Sequence, residues 1–117
     1  MPKADKGPKN PSKSPKGPQI SQVQARKYLA KAPEENVFWC NNGTVIRDLK
    51  GLKDSLSGMS DQTFAYHHNE IKKDFANWIK YVLGDEKLAT DLENATNRQK
   101  AAQVVEERYS LLVKAAG

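Results

Sequence analysis

The sequence has little of the chemistry that marks secreted, membrane-bound and catalytic proteins. Its 117 residues include one cysteine, Cys40, which excludes an internal disulfide. Because Cys40 follows Trp39 in an apolar run, we expect it to be a small buried hydrophobe. No run approaches a membrane span of about 18 apolar residues, and the N-terminus lacks the apolar centre of a secretory signal. These features predict a soluble, cytoplasmic protein with no membrane partner.

Signatures of catalysis and of phosphate-binding loops are also missing. The glycines that follow residue 19 are single and scattered, so no glycine-rich loop is present. No set of nucleophile, base and orienting group can be recognised. Carboxylates that are adjacent in sequence point in different directions on a helix. We therefore expect a solvated surface position for both adjacent pairs, Asp85/Glu86 and Glu106/Glu107. The sequence predicts a protein that is not an enzyme, has no catalytic residues and needs no cofactor.

Lysine and proline are concentrated in residues 1–19. This segment holds five of the six prolines and five lysines, and its only large apolar residue is Met1. Because it can bury too little apolar area to offset the entropy of ordering, we expect a disordered, partly polyproline-like tail. Five lysines against the single Asp5 give the tail four of the five net positive charges. Residues 20–117 are therefore close to neutral.

This basic tail is the strongest functional clue in the sequence. Its lysines recur every three or four residues, so an extended chain brings each ammonium to a different phosphate. The predicted contact residues are Lys3, Lys6, Lys9, Lys13 and Lys16. The run Ser14-Pro15-Lys16 resembles repeats of linker-histone-like tails. Since the tail lacks aromatic residues and arginine, binding to DNA or RNA should tolerate any base sequence and weaken with salt.

The rest of the chain, residues 20–117, is predicted to form one helical domain. The pattern predicts a mainly α (α+β) fold, a small bundle of four to five helices with one short β-hairpin. Helices are predicted over 21–32, 47–57, 61–83, 85–92 and 96–115, with a break in the third near His68 and Asn69. Ser21 with Gln24 and Thr96 with Gln99 have the spacing of a capping box, so Ser21 and Thr96 are expected to cap the first and last helices. Ser60 or Asp61 is expected to cap the third. The hairpin joins 37–40 to 44–46 through the turn Asn41-Asn42-Gly43.

The segment 64–83 is predicted to be the one around which the others pack. It contains two of the three phenylalanines and one of the two tryptophans, and exposing them would be costly. Its apolar residues, of which the last four share a helix face, are Phe64, Ile71, Phe75, Trp78, Ile79 and Val82. The opposite face carries Lys72, Lys73, Asn77 and Lys80. These lysines either extend the phosphate-binding track of the tail or form a solvated helix face.

A cluster of polar residues precedes Trp78. It consists of His67, His68, Glu70 and Asp74. A structural zinc site normally has four Cys or His ligands, and the chain has one cysteine and two histidines, so no metal site is predicted. We expect His67 to lie in the interior, bonded to the backbone or to Asp74, and to fix the turn before the Trp78 helix. A catalytic pair of His67 and Asp74 would need a pocket beside it.

The sequence resembles a small helical domain family of unknown function found in archaea and bacteria. The resemblance covers about 28–112, and its most specific features are His67 and the run Asp74-Phe75-Ala76-Asn77-Trp78-Ile79. This chain differs from the family pattern at His68, where an aliphatic residue is common, and at Lys73, where asparagine is common. The resemblance implies a helical fold and no particular activity.

A protein-interaction module is the alternative to nucleic-acid binding. A domain of this size cannot bury all of its apolar surface, so Trp39, Tyr66 or Tyr81 are candidates for exposed anchors of a partner protein. In that alternative the tail only keeps the protein in solution.

Overall fold

The structure, a computed structural model, describes residues 20–117 and is mainly helical with one two-stranded antiparallel sheet, which confirms the predicted fold class. The tail predicted over 1–19, with its five lysines, lies outside the described residues. The α-helices are α1 (Gln22–Leu29), α2 (Leu49–Gly58), α3 (Asp61–His67), α4 (Asp74–Trp78), α5 (Glu86–Glu93) and α6 (Arg98–Ala116). A 3₁₀ turn spans Glu34–Asn36, and a π-helical segment, Ile79–Leu83, continues α4. The strands are β1 (Phe38–Trp39) and β2 (Val45–Ile46).

Side chains that accept backbone N–H groups set where the helices begin. The predicted cap of the first helix is confirmed, because the Ser21 hydroxyl accepts from the Gln24 N–H. The last helix was expected to be capped by Thr96. Its cap is instead Asn97, whose side chain accepts from the Lys100 N–H. Either residue type can cap a helix, so the sequence alone does not decide between neighbours.

The first helix is shorter than predicted. It ends at Leu29, and Ala30 is already extended. The Ala32 N–H then donates to the Arg47 carbonyl at 2.7 Å, a bond that a continuing helix would not make. Long-range pairing beside β2 therefore ends the helix before Pro33 can.

The hairpin forms where it was predicted, with only two paired residues in each strand. Phe38 pairs with Ile46 and Trp39 with Val45. Gly43 adopts a φ of 92°, which a residue with a side chain rarely takes, so glycine allows this turn to close. The turn is closed by the Gly43 N–H, which donates to the Cys40 carbonyl. Cys40 is buried, as predicted.

The core lies between the long helix α6, the antiparallel helices beside it and the α4 segment. α6 packs mainly against α1 and α2, while α5 fills the space between α6 and α4. Fully buried aliphatic residues from these helices make up its centre: Leu52, Leu56, Leu88, Leu92, Val105 and Leu112. The helix with the most extensive packing is therefore α6 and not the predicted segment 64–83.

Segment 64–83 is divided into α3 and α4 by a turn at 68–73, close to the predicted break. Phe75, Trp78 and Ile79 are buried as expected. The expectation for Ile71 was wrong, because its side chain is 93% exposed. Ile71 lies in the turn between the two helices, outside the helix face that Phe75, Trp78 and Ile79 share.

The hairpin is held against α4 by aromatic packing and one long-range hydrogen bond. The Phe38 ring stacks on Phe75 with centroids 5.0 Å apart and meets Trp78 edge-on at 6.0 Å. The Trp78 indole N–H donates to the Asn36 carbonyl at 2.8 Å. These contacts fix the position of the hairpin turn relative to the end of α3, where the polar cluster lies.

Candidate functional site

His67, the last residue of α3, is the centre of the polar cluster and is 4% exposed. Its Nδ1 lies 3.0 Å from a carboxylate oxygen of Asp74, and its Nε2 accepts the Asn41 N–H at 2.9 Å. Because a backbone N–H can only donate, Nε2 must be unprotonated and Nδ1 must carry the hydrogen donated to Asp74. This arrangement confirms the expectation that His67 is an interior residue bonded to the backbone and to Asp74.

The His67/Asp74 pair joins three parts of the chain. Asn41 belongs to the hairpin turn, His67 ends α3 and Asp74 begins α4. The imidazole also contacts the rings of Phe38 and Phe75, each with centroids 5.1 Å away. An imidazole held by a carboxylate is a frequent catalytic base, but a base needs a free nitrogen facing its substrate. Here Nε2 is already occupied by the hairpin, so the geometry fits a structural junction.

The turn between α3 and α4 is braced by Asn69. Its side-chain oxygen accepts from the N–H groups of Ile71 and Lys72, at 2.9 and 3.0 Å. Its amide nitrogen donates to the Ala65 carbonyl at 2.8 Å, which ties the turn back to α3. The Lys73 ammonium donates to the Asn69 carbonyl. The exposed Ile71 is therefore presented by a turn whose backbone is fixed on several sides.

The lysines predicted on the outward face of one helix occupy two different elements. Lys72 and Lys73 are half-buried and lie in the turn that precedes α4. Lys80 is exposed and lies in the π-helical segment that follows it, with exposed Asn77 between them. The break in the helix thus separates the predicted stripe into a pair of lysines and a single one.

Two of these lysines lie over exposed tyrosine rings. The Lys72 ammonium is 4.0 Å from the centroid of Tyr66 and 3.2 Å from the Asp74 carboxylate. The Lys80 ammonium is 5.2 Å from the centroid of Tyr81. A cation over an aromatic face is attracted by the ring quadrupole, so each ammonium has a preferred position beside its ring.

The three aromatic residues proposed as anchors are exposed. Trp39 is 72%, Tyr66 53% and Tyr81 75% exposed, whereas Trp78 is 7% exposed. Trp39 follows the core-facing Phe38 in β1, and alternation along the strand turns it toward solvent. Of these rings and lysines, Tyr66 and Lys72 contact the His67/Asp74 pair: Tyr66 meets the imidazole edge-on with centroids 4.9 Å apart, and Lys72 bonds to Asp74.

The expectation of a solvated Asp85 was wrong. Asp85 is 2% exposed, and both of its carboxylate oxygens lie 2.8 Å from the guanidinium of Arg108 in α6. It also caps α5 by accepting the Leu88 N–H at 3.2 Å. The position at a helix start was readable from the sequence. The ion pair was not, because the partner is 23 residues away on a helix whose register is set by packing.

His68 is buried on the side of the turn that faces α6. Its ring stacks on Phe64 at 4.9 Å, and its Nε2 lies 2.9 Å from the Ala95 carbonyl, to which it donates. His68 also lines a shallow pocket of about 500 Å³ between α3 and the start of α6. Arg98 in the wall of this pocket is bonded to Asp61 and to the Leu56 carbonyl. Between residues 20 and 117, no three His, Cys, Asp or Glu side chains come together as metal ligands do.

The fold defines a small helical protein with an appended hairpin, and no family model, curated protein or solved structure matches the chain. Among the helices formed by residues 20–117, none has the length and apolar composition needed to span a membrane.

Proposed function

We propose that this chain is a small non-enzymatic protein that binds the phosphate backbone of nucleic acid without preference for base sequence. Residues 1–19 supply most of the binding charge through Lys3, Lys6, Lys9, Lys13 and Lys16. Lys72, Lys73 and Lys80 on the helical domain add a second, smaller group of cations. The single buried cysteine is compatible with a reducing, cytoplasmic setting, which is part of the proposal.

The distribution of charge is the observation that carries this proposal. Four of the five net positive charges fall within 19 residues that hold a single acidic side chain, Asp5. A polyanion gains affinity from such a segment because each bound ammonium releases a condensed counterion. The occupied Nε2 of His67 supports the non-enzymatic part, since the one Asp–His pair in residues 20–117 is already bonded to the hairpin.

The test is a fluorescence-anisotropy titration of a labelled 20-base-pair duplex at several salt concentrations. One variant replaces the five tail lysines with glutamine and keeps the chain length and the prolines. Its matched control removes five exposed lysines elsewhere, Lys27, Lys31, Lys87, Lys100 and Lys114. Each phosphate contact contributes about 0.7–0.9 to the magnitude of the slope of log K against log salt. With five lysines removed, the slope for the tail variant should be smaller in magnitude than that of the native chain by about four.

The salt dependence of the matched control should stay close to that of the native chain, because its lysines are dispersed over α1, the loop after it, α5 and α6 and not along one continuous segment. If the tail variant and the native chain bind the duplex with equal affinity and equal slope, the tail is not the binding element. If neither shows binding at 20 mM salt, where electrostatic contacts are strongest, the proposed function is wrong.

A protein-interaction module is the second candidate, and the exposed aromatic residues favour it. Trp39 and Tyr81 are each more than 70% exposed, and tryptophan and tyrosine are the commonest anchors of protein interfaces. Retrieval of a specific protein after nuclease treatment, with the native chain but not with a Trp39→Ala variant, would support this candidate. Nucleic acid in the eluate that nuclease removes would instead support the first.

A further inference from the structure

The hairpin turn contains the dipeptide Asn42-Gly43. The chain has eight asparagines, and Asn42 is the one that a glycine follows. A backbone nitrogen reaches the side-chain carbon of the preceding asparagine most easily when its own residue has no side chain to hinder the approach. Asn42, Gly43 and Thr44 are all exposed. The turn therefore brings together the two reactants of an internal cyclisation and gives water access to the product.

The amide of Asn42 is the electrophile of this reaction. Its side-chain oxygen accepts the Thr44 N–H at 3.0 Å. This hydrogen bond forms an Asx turn, which keeps the side chain of an asparagine beside the backbone that follows it. A donor on a carbonyl oxygen also stabilises the negative charge that develops there when a nucleophile adds to the carbon. The bond from Thr44 therefore favours attack at the Asn42 amide.

The nitrogen of Gly43 is the nucleophile, and the closed turn protects it. The Gly43 N–H donates to the Cys40 carbonyl at 2.9 Å, and the nitrogen must give up this hydrogen before it can form a new bond. The Cys40 N–H donates to the Thr44 carbonyl, also at 2.9 Å, which closes the loop around Gly43. The reaction therefore requires the turn to open.

The stability of the hairpin decides how often this opening occurs. Each strand has two paired residues, and a two-stranded hairpin is marginally stable unless it packs against the rest of the protein. Here that packing comes from the Phe38 ring on Phe75 and from the Asn41 N–H bond to His67. Local opening of such an element costs less free energy than unfolding of the whole domain. The contacts of Phe38 and His67 therefore control the exposure of the Gly43 nitrogen.

We propose that Asn42 is a self-modification site, converted to aspartate or isoaspartate when the hairpin turn opens. The Gly43 nitrogen bonds to the side-chain carbon of Asn42, the bond between that carbon and the amide nitrogen breaks, and ammonia leaves with the hydrogen given up by Gly43. Water then opens the resulting cyclic imide. Cleavage of the bond from the side-chain carbon to the Gly43 nitrogen gives aspartate, and cleavage on the backbone side gives isoaspartate. No oxidation or reduction takes place.

The two products should affect the hairpin differently. Aspartate keeps an oxygen that can accept the Thr44 N–H, so the turn can close again. Isoaspartate adds one carbon to the backbone of a loop whose length fixes the register of its strands. The longer loop no longer fits the backbone bonds between Cys40 and Thr44, and the Asn41 N–H moves away from His67. Isoaspartate should therefore release the hairpin from the His67/Asp74 pair.

The test incubates the full chain in mildly alkaline buffer and follows modification of each asparagine by peptide mapping with mass spectrometry. The native chain is compared with the chain in guanidinium chloride and with Phe38→Ala, which removes the ring that packs on Phe75. The matched control is Trp39→Ala in the same strand, since Trp39 is 72% exposed. Asn94, which is exposed and precedes Ala95, is the internal reference. Circular dichroism checks that each variant folds.

We expect Asn42 to react about tenfold or more slowly in the native chain than in denaturant, which corresponds to an opening free energy of about 1.4 kcal/mol or more. In denaturant it should react several times faster than Asn94, because Ala95 carries a side chain. The rate in Phe38→Ala should exceed the native rate by about fivefold or more, whereas Trp39→Ala should react as the native chain does.

The effect on the junction is measured by amide exchange at Asn41. Exchange should accelerate in protein that has accumulated isoaspartate and stay near the native rate in an Asn42→Asp variant, which adds the charge without the extra carbon. Equal exchange in the two samples would overturn the proposed release of the hairpin.

Three rate results would overturn the proposed site. An unmodified Asn42 in denaturant would show that the reaction does not occur in this chain. Equal rates for Asn42 and Asn94 in denaturant would remove the role of Gly43. Equal rates in the native chain and in denaturant would show that the turn gives no protection, and this comparison stays decisive if Phe38→Ala fails to fold.

Discussion

At the scale of single residues, two buried polar side chains of residues 20–117 connect different elements of the fold. His67 bonds the hairpin turn to α4, and Asp85 bonds the start of α5 to Arg108 in α6. A buried polar group is costly unless its hydrogen bonds are satisfied, so each of these side chains specifies one arrangement of its partners.

Replacing His67 with alanine should destabilise the protein by about 2–4 kcal/mol, because it opens a cavity and leaves the Asn41 N–H without its acceptor. The glutamine of His67→Gln can still offer an acceptor near the position of Nε2, so this variant should be destabilised less than the alanine variant. Urea denaturation at pH 7 measures both free energies of unfolding. A cost below 1 kcal/mol for the alanine variant would mean that the junction does not hold the hairpin in place.

Removing only one charge of the Asp85/Arg108 pair should lower the free energy of unfolding more than removing both charges. Arg108→Met leaves a carboxylate buried without its counter-charge, which costs about 3–5 kcal/mol. Adding Asp85→Asn removes that charge and keeps an acceptor for the Leu88 N–H, so the double variant should recover part of the loss. A double-mutant cycle in guanidinium chloride measures the coupling, and strictly additive free energies would contradict a direct pair.

The burial of His67 was predicted, whereas the burial of Asp85 was not. For His67 the sequence offered the nearby Asp74 and a helix boundary, both of which are local. For Asp85 the deciding fact is the partner Arg108, and no local pattern reports which face of α6 turns toward α5. Residues whose surroundings come from long-range packing are the ones that sequence patterns describe least well.

At the scale of elements, the turn at 68–73 determines how the surface around His67 is arranged. It separates α3 from α4, exposes Ile71 and sets Lys72 over Tyr66. Its conformation depends on Asn69, which uses its side chain to satisfy two N–H groups of the turn and one carbonyl of α3.

Asn69→Ala should loosen this turn while the rest of the domain stays folded. Losing the two accepted bonds costs about 1–2 kcal/mol locally, so amide exchange at Ile71 and Lys72 should accelerate about 5–30-fold. Asn77→Ala, at an exposed position of α4, is the matched control and should leave those amides unchanged. Hydrogen exchange followed by nuclear magnetic resonance gives both rates. Equal protection in the two variants would mean that the turn is held by other contacts.

The helices were predicted more accurately than their ends. Apolar spacing and capping residues indicate where a helix can form, and both are local. The early end of α1 and the choice of Asn97 over Thr96 as a cap follow from tertiary contacts or from small differences between equivalent residues. Ile71 was misplaced because it lies in the turn that follows the predicted break, where helical periodicity does not determine burial.

At the scale of the whole molecule, the residues that stabilise the fold differ from those proposed to carry the binding charge. The core of residues 20–117 is built from buried apolar residues and two bonded polar pairs, and its net charge is close to zero. Four of the five net positive charges lie in residues 1–19, and the proposed additional contacts are Lys72, Lys73 and Lys80. The fold class could be predicted from the sequence because periodicity determines it. The position of Lys72 over Tyr66 could not, since it depends on the conformation of the turn at 68–73.

The most direct test of this account is a ¹H–¹⁵N correlation spectrum of the labelled full chain, titrated at low salt with a generic oligonucleotide. We predict progressive shifts at residues 3–16 and at the amides of Lys72, Lys73 and Lys80, while the amides of core residues such as Phe75 and Leu112 keep their positions. A titration in which residues 3–16 do not respond, whatever the remaining amides do, would contradict the central claim that the lysine-rich tail binds nucleic acid.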